Sequence, residues 1–314
     1  MRDAAAARRC TAQTQWVTRL RCPHRTTSDF LPTPMNLLQI VILAIVQGAA
    51  ELLPVSSSAH VIVAEKLMGL DPTAPAMTLL LVMLHTGTMF AVIVYFWNRW
   101  VATYFGAAAE GRRQLVFIVA ATVATGFVGL GLQAVIKHAV FGGAHDFEIE
   151  QLFGNSKLMA AALAAAGVLI LVSSRIQANP AGALSLRKSI WIGAVQGLCL
   201  PFRGFSRSGA TISTGLALGV SRRRAEEFSF VLAVVLTPAV IVKEVLRLVK
   251  HQAPAGPQSP ELWHSLGPAA LGMVLSFGAG LLALRWLSSW LESGRWYVFG
   301  AYCLVASAVV YGLG

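Results

Sequence analysis

Charge is the first thing this sequence is short of. Only 12% of its 314 residues are Asp, Glu, Lys or Arg, while 56% are hydrophobic. Soluble domains carry about 25% charged residues, so a mean hydropathy of +0.64 excludes an ordinary water-soluble globule. Cysteine patterning is missing too. Cys10, Cys22, Cys199 and Cys303 form no CxxC or His-paired spacing, which argues against a disulfide framework and a cysteine metal site. The formal charge of +11 suggests nucleic acid at first sight, but the Lys and Arg fall in short clusters between apolar runs. That distribution marks membrane topology, and no nucleic-acid partner is expected. Residues 1–34 contain six Arg and two Asp but no apolar stretch of signal-peptide length. They are expected to be a disordered extension or a start-site artefact ahead of one membrane domain, 35–314.

What is present is apolar length. Uncharged runs such as Leu115–Ile136, Leu266–Leu284 and Trp296–Gly314 meet the roughly 20 residues that a bilayer crossing needs. The pattern predicts an all-α integral membrane protein with about ten helical segments in two sets of five. The first set is 37–52, 56–69, 76–97, 115–136 and 157–173; the second is 189–202, 207–219, 225–249, 266–288 and 295–313. Each set opens with two short segments separated by a polar break, Pro54-Val55-Ser56-Ser57-Ser58 in one and Pro201-Phe202-Arg203-Gly204-Phe205-Ser206 in the other. Non-helical backbone at membrane depth needs protein or a water-filled cavity around it, so both breaks are expected to be re-entrant hairpins. Val46-Gln47-Gly48 recurs 149 positions later as Val195-Gln196-Gly197, and Ser57 as Ser206. Two repeats, about 35–175 and 187–314, each with three full spans, would have inverted topology. That makes six spans in all.

Loop charge orients the chain. Loops 98–114, 174–188, 221–224 and 285–295 hold Arg99, Arg112, Arg113, Arg175, Arg187, Lys188, Arg222, Arg223, Arg224, Arg285 and Arg295. The opposite loops hold only Lys137, Lys157 and Lys250. The positive-inside rule then places both termini outside the cytoplasm.

Polar groups at membrane depth are costly and mark function by default. Gln47 and Glu51 lie four apart on one helix face, pointing toward the first break. Ser56 and Ser57 are placed to cap the next helix, whose free N–H groups favour an anion. His60 is expected within reach of the same face. Capping and helix packing are the plainer reading, but they account for neither Glu51 nor His60. The second break offers Arg203, Ser206, Arg207 and Ser208 among small residues, a cradle suited to phosphate; the plainer reading there is snorkelling arginines. Glu65-Lys66 and Lys243-Glu244 are expected to be interfacial or structural pairs, His85 a packing histidine near the site, and Glu227 a partner of the basic loop.

Gln-x-x-x-Glu, then Pro-Val-Ser-Ser-Ser-x-His, then Gly-Phe-Ser-Arg-Ser-Gly-Ala-Thr resemble the undecaprenyl-diphosphate phosphatase family, known for bacitracin resistance. The resemblance runs from about Met35 to the C-terminus. It implies hydrolysis of undecaprenyl diphosphate to the monophosphate, recycling the lipid carrier for peptidoglycan synthesis. It further implies a bacterial cytoplasmic membrane location, a site open to the periplasm and stimulation by a divalent cation, Mg²⁺ or Ca²⁺. Carried over by position, Glu51, Ser57, His60 and Arg207 are the catalytic candidates. Gln47, Ser56, Ser206, Ser208 and Arg203 are substrate-binding candidates, and Glu51 with Gln47 the metal ligands. The family's usual Pro-Gly before Ser-Arg-Ser is replaced here by Pro201-Phe202-Arg203-Gly204. Ser57, His60 or a water could be the nucleophile. A secondary transporter or polyprenyl-phosphate flippase is the alternative that an inverted repeat allows.

Overall fold

The computed structural model describes residues 36–70, 75–141, 155–177, 179–252 and 260–312. The expected N-terminal extension, 1–34, lies outside them. Ten α-helices and no strand occur among the described residues: α1 (Leu37–Leu52), α2 (Ser57–Leu67), α3 (Pro75–Tyr104), α4 (Ala108–Phe141), α5 (Ser156–Ser174), α6 (Leu186–Cys199), α7 (Arg207–Ala217), α8 (Arg222–Gln252), α9 (Pro260–Glu292) and α10 (Tyr297–Gly312). Each corresponds to one expected segment.

Several helices outrun their apolar cores. α3 continues through Arg99 to Tyr104, and α4 begins at Ala108, ahead of Arg112 and Arg113. The reason is physical: a helix need not stop where the hydrocarbon does, because Arg side chains reach outward from it. Asn155 and Ser185 fix two starts more locally. The Asn155 side-chain Oδ1 accepts from the Lys157 and Leu158 amides, both at 3.1 Å, and Ser185 Oγ accepts from the Lys188 amide.

Five helices are long and apolar enough to cross a membrane: Ala76–Tyr104, Ala108–His138, Ser156–Ser174, Arg222–Val242 and Leu266–Glu292. α10, expected as a sixth span, is apolar but has 16 residues. Large side chains on their outer faces stay uncovered, Phe127 at 82% and Val305 at 66% exposure. Such a surface is suited to lipid and not to water. The chain is a multi-pass membrane protein.

Inside, the helices meet through small residues. α1 packs on α9 and α6 on α4, and the repeated Gly makes both approaches possible. A Cβ on Gly48 would stand 2.6 Å from Ala279 Cβ, and one on Gly197 would stand 2.8 Å from the Thr125 carbonyl oxygen. Without interhelical water to expel, close backbone approach is the main gain available to helices in lipid. Aromatic packing fills the wider spaces, with Phe96 stacked on Phe230 and Trp100. The buried Trp296 indole N–H lies 3.1 Å from Ser173 Oγ and 3.2 Å from Ser213 Oγ. It thereby joins α5 and α7 to the start of α10.

Candidate active site

Two helix breaks bring the polar residues together. Between α1 and α2 the chain turns at Ser56, a non-glycine residue with φ of 68°. Such a conformation is strained for an L-residue and favours functional segments. Between α6 and α7 the turn is made at Gly204, with φ of 105°. A side chain there would be doubly excluded, since a Cβ would lie 2.3 Å from the Met159 carbonyl oxygen.

Glu51, on the last turn of α1, is the centre. Ser57 Oγ donates to its Oε2 at 2.6 Å, and Gln47 Nε2 donates to the same oxygen at 3.2 Å. Arg207, the first residue of α7, donates from Nη2 to Oε1 at 3.0 Å. Gln47 is buried and the Glu51 and Arg207 side chains are mostly covered. The other terminal nitrogen of Arg207, Nη1, is buried with no hydrogen-bond acceptor. A guanidinium so placed has donors to spare for a phosphate oxygen.

His85 belongs to this cluster, against the expectation of a packing role. Its Nε2 lies 3.7 Å from Glu51 Oε2, while Nδ1 donates to the Leu81 carbonyl. Nε2 therefore carries a hydrogen only in the imidazolium form, which would pair with the carboxylate. A lone His in mid-helix gives no sequence signal of this; only the approach of α3 to α1 creates it.

Two expectations are corrected. Ser56 stands at the N-cap of α2 but makes no side-chain capping bond; its Oγ lies 3.4 Å from Ser58 Oγ. Ser57 does not cap either, being the first helical residue with its hydroxyl committed to Glu51. The positive φ at Ser56 turns that side chain away from the amides it was expected to hold. His60 also differs. Its Nδ1 donates to the Ser56 carbonyl at 2.8 Å, and its Nε2 is 2.7 Å from the Tyr302 hydroxyl on α10. In the neutral ring, Tyr302 is the donor. Both nitrogens of His60 are thus engaged, and neither touches Ser57 or Glu51.

The second break behaves more nearly as expected. Ser206 caps α7 by accepting from the Gly209 amide. Ser208 Oγ donates to the Leu53 carbonyl at 3.3 Å and so ties the two breaks together. Cys303 of α10 adds a weaker tether through its thiol to the Pro54 carbonyl. Arg203 is half-buried and acts electrostatically on the buried Glu65 of α2. Glu65-Lys66 is therefore split, one buried and one exposed. The Lys243 and Glu244 side chains lie outside the described ones. Glu227 pairs with Arg223 and Arg224, as expected.

A carboxylate that accepts from a serine hydroxyl on one oxygen and from a guanidinium on the other, inside a bundle of apolar helices, defines a membrane protein with a built polar site. The comparison with known proteins specifies it further. The family model described as bacitracin resistance protein BacA matches residues 40–309, and the chain belongs to that family. It is similar to undecaprenyl-diphosphatase 2 of Acinetobacter baylyi, with 64% identity over 280 residues, 89% of this chain and 98% of that protein. Undecaprenyl-diphosphatase 1 of Burkholderia pseudomallei is 34% identical over 296 residues, covering 88% of this chain and 97% of its own. Undecaprenyl-diphosphatase 2 of Burkholderia thailandensis matches to the same extent.

Proposed function

We propose that this chain hydrolyses undecaprenyl diphosphate to undecaprenyl phosphate and inorganic phosphate, with Ser57 as the nucleophile and Glu51 as its base. The observation that carries the mechanism is the 2.6 Å hydrogen bond from Ser57 Oγ to Glu51 Oε2. Glu51 takes the hydroxyl proton as Ser57 Oγ attacks the terminal phosphorus. The bond from that phosphorus to the bridging oxygen breaks, and undecaprenyl phosphate leaves with the electron pair. Glu51 passes the hydroxyl proton to solvent; water then attacks the phosphoserine and gives its proton to Glu51, which returns it to Ser57 Oγ as the Oγ–phosphorus bond breaks and inorganic phosphate is released. Arg207, freed in part from Glu51, neutralises charge on the non-bridging oxygens. His60, held by Ser56 and Tyr302, fixes the α2 start instead of attacking.

Glu51 supplies a carboxylate and Gln47 an amide whose Nε2 faces it at 3.2 Å; with that amide turned over, the carboxylate and the amide oxygen would make a set that suits a hard cation. Among the described residues no group of three or more His, Cys, Asp or Glu is placed to hold an ion by itself. Glu51 and Gln47 would hold a Mg²⁺ or Ca²⁺, which would supply positive charge against the substrate phosphates.

The fold proposed with this function is an inverted repeat of six spans and two re-entrant hairpins, with halves 35–175 and 187–314. Packing supports it: α1 lies on α9 as α6 lies on α4, and α3 meets α9 as α8 meets α4. The halves differ chemically. Gln47 faces Glu51, whereas its counterpart Gln196 is buried on Thr125, and Leu200 stands where Glu51 would recur. A carboxylate supplied by one half and its guanidinium by the other make a site without twofold character, which favours hydrolysis over the transporter or flippase alternative. The proposed setting is the bacterial cytoplasmic membrane with the site facing the periplasm, where the product re-enters peptidoglycan synthesis.

The direct test is phosphate release from undecaprenyl diphosphate by detergent-purified protein, with and without EDTA. No release by the wild type above a Ser57→Ala control under either condition would sink the proposal.

A further inference from the structure

A second polar site lies far from the first. From His85, which faces Glu51, α3 runs 14 residues to Arg99, or about 21 Å at the helical rise. There a cavity of about 940 Å³ opens, lined from all four of the basic inter-helix segments: Arg99 and Thr103, Ala183, Arg222 to Arg224, and Glu292. A volume of this order accommodates a small ligand.

Its electrostatics are unbalanced toward donors. Three guanidiniums converge on one carboxylate. Arg223 Nε and Arg224 Nη1 reach the Glu227 oxygens at 3.1 and 3.4 Å, and Arg99 Nη1 stands 3.9 Å from Glu227 Oε1. Each guanidinium carries more N–H donors than its share of that carboxylate can accept. Arg222 is held separately, by the Glu292 backbone carbonyl at 2.9 Å.

Arg99 makes the imbalance sharp. Its Nη1 is buried and has no hydrogen-bond acceptor; the carboxylate oxygens of Glu226 and Glu227 that face it are both 3.9 Å away. Glu226 is itself fully buried; its Oε1 accepts from Ser288, while its Oε2, 3.9 Å from Arg99 Nη1, has no hydrogen-bond partner either. The rings of Tyr95 and Phe96 hold the guanidinium from the side. Leaving such a donor unmade costs free energy that an anion would recover. Snorkelling explains a basic rim but not a buried guanidinium nitrogen beyond hydrogen-bond reach of an acceptor.

Four arginines (Arg99, Arg222, Arg223 and Arg224) stand against three carboxylates (Glu110, Glu227 and Glu292) on the cavity wall. Glu110 is committed to Gln114 and Arg113, and Glu227 is already shared. We propose that this cavity binds a phosphate-bearing anion, either the headgroup of an anionic phospholipid or free inorganic phosphate, independently of the Glu51 site. The shared chemistry is a phosphate group received by Arg99 and Arg224.

The test uses the full chain, delipidated in neutral detergent and examined by native mass spectrometry with added phosphatidylglycerol or phosphatidylcholine. Inorganic phosphate is titrated calorimetrically in parallel. Two variants probe the cavity. Arg224→Gln removes a charge, and Ala183→Trp fills the space while leaving every arginine in place. Ala183 is exposed at the cavity wall, so a large side chain there need not disturb the core.

The expected result is one retained phosphatidylglycerol, with phosphatidylcholine not retained. Occupancy should drop about tenfold, some 1.4 kcal/mol, in each variant while undecaprenyl diphosphate hydrolysis stays near wild type. If phosphate binds calorimetrically, displaces the lipid and is lost in both variants, the free anion is the ligand. Equal retention of the two lipids by the wild type would overturn the proposal. So would unchanged phosphatidylglycerol and phosphate binding in Ala183→Trp, whatever the fate of Arg224→Gln.

Discussion

Arg207 and Glu51, 156 positions apart in sequence, share a 3.0 Å hydrogen bond where the two helix breaks meet. Neither helix alone would keep such a charge in an apolar bundle, since an unpaired ion at membrane depth is costly. The pair lowers that cost in the resting protein. It also leaves Arg207 Nη1 unpartnered and therefore available to substrate.

From this it is predicted that Arg207→Ala lowers kcat/KM by about 10²–10³-fold, the usual cost of removing one donor to a transition-state oxyanion. Arg207→Lys should recover only part of the loss, because an ammonium lacks the planar fork. A variant keeping more than about a tenth of wild-type kcat/KM would have lost under ~1.4 kcal/mol of transition-state stabilisation, and the phosphate-binding role would be wrong.

Ser57 and His60 are separable by chemistry. If Ser57 attacks, labelled substrate should leave an acid-stable phosphoserine, absent in Ser57→Ala and still formed in His60→Gln. An acid-labile phosphohistidine at position 60 would reverse the assignment drawn from the two engaged ring nitrogens. Absence of any trapped protein under rapid quench would point to direct attack by water.

Tyr302 reaches His60 through one hydroxyl at 2.7 Å. Removing it in Tyr302→Phe deletes one hydrogen bond of about 0.5–1.5 kcal/mol, so kcat/KM should fall between about twofold and about tenfold. A loss beyond a hundredfold, measured at equal folded fraction, would mean that Tyr302 contacts substrate directly.

Helix packing is testable at two glycines of different surroundings. A Cβ on Gly193 would lie 2.1 Å from the Ala121 carbonyl oxygen, whereas one on Gly126 would meet nothing within 4 Å. Gly193→Ala should therefore destabilise the protein by about 1–3 kcal/mol through overpacking. Gly126→Ala should be neutral or stabilise by up to about 1 kcal/mol. Thermal unfolding in detergent measures both, and equal midpoints for the two variants would contradict the packing of α6 on α4.

Topology has its own assay. The basic inter-helix segments line one cavity, and the positive-inside rule assigns that face to the cytoplasm. An alkaline phosphatase fused after Gly314 should then be active, and one fused after Arg187 inactive. The opposite pattern would turn the proposed periplasmic site around.

Sequence alone determined the helices and singled out Glu51, Ser57 and Arg207, which the fold brings together. Apolar length and scarce charge left few ways to satisfy the backbone in lipid, so all ten segments were legible, with errors mainly at ends where arginines extend a helix past its apolar core. Glu51 and Arg207 were legible for the same reason, because a charge in such a chain needs a purpose. Val-Gln-Gly was visible as a repeat, but its Gln residues proved to have different partners.

Only the tertiary structure decided who touches whom. Ser57 donates to Glu51 instead of capping α2 because Ser56 adopts a positive φ, a backbone choice that no side-chain pattern announces. His85 joins the site, and His60 turns toward Tyr302, because α3 and α10 come alongside residues far from them in sequence. Helix periodicity fixes which face a residue occupies. The packing of one helix on another fixes what that face meets, and the chemistry depends on that meeting.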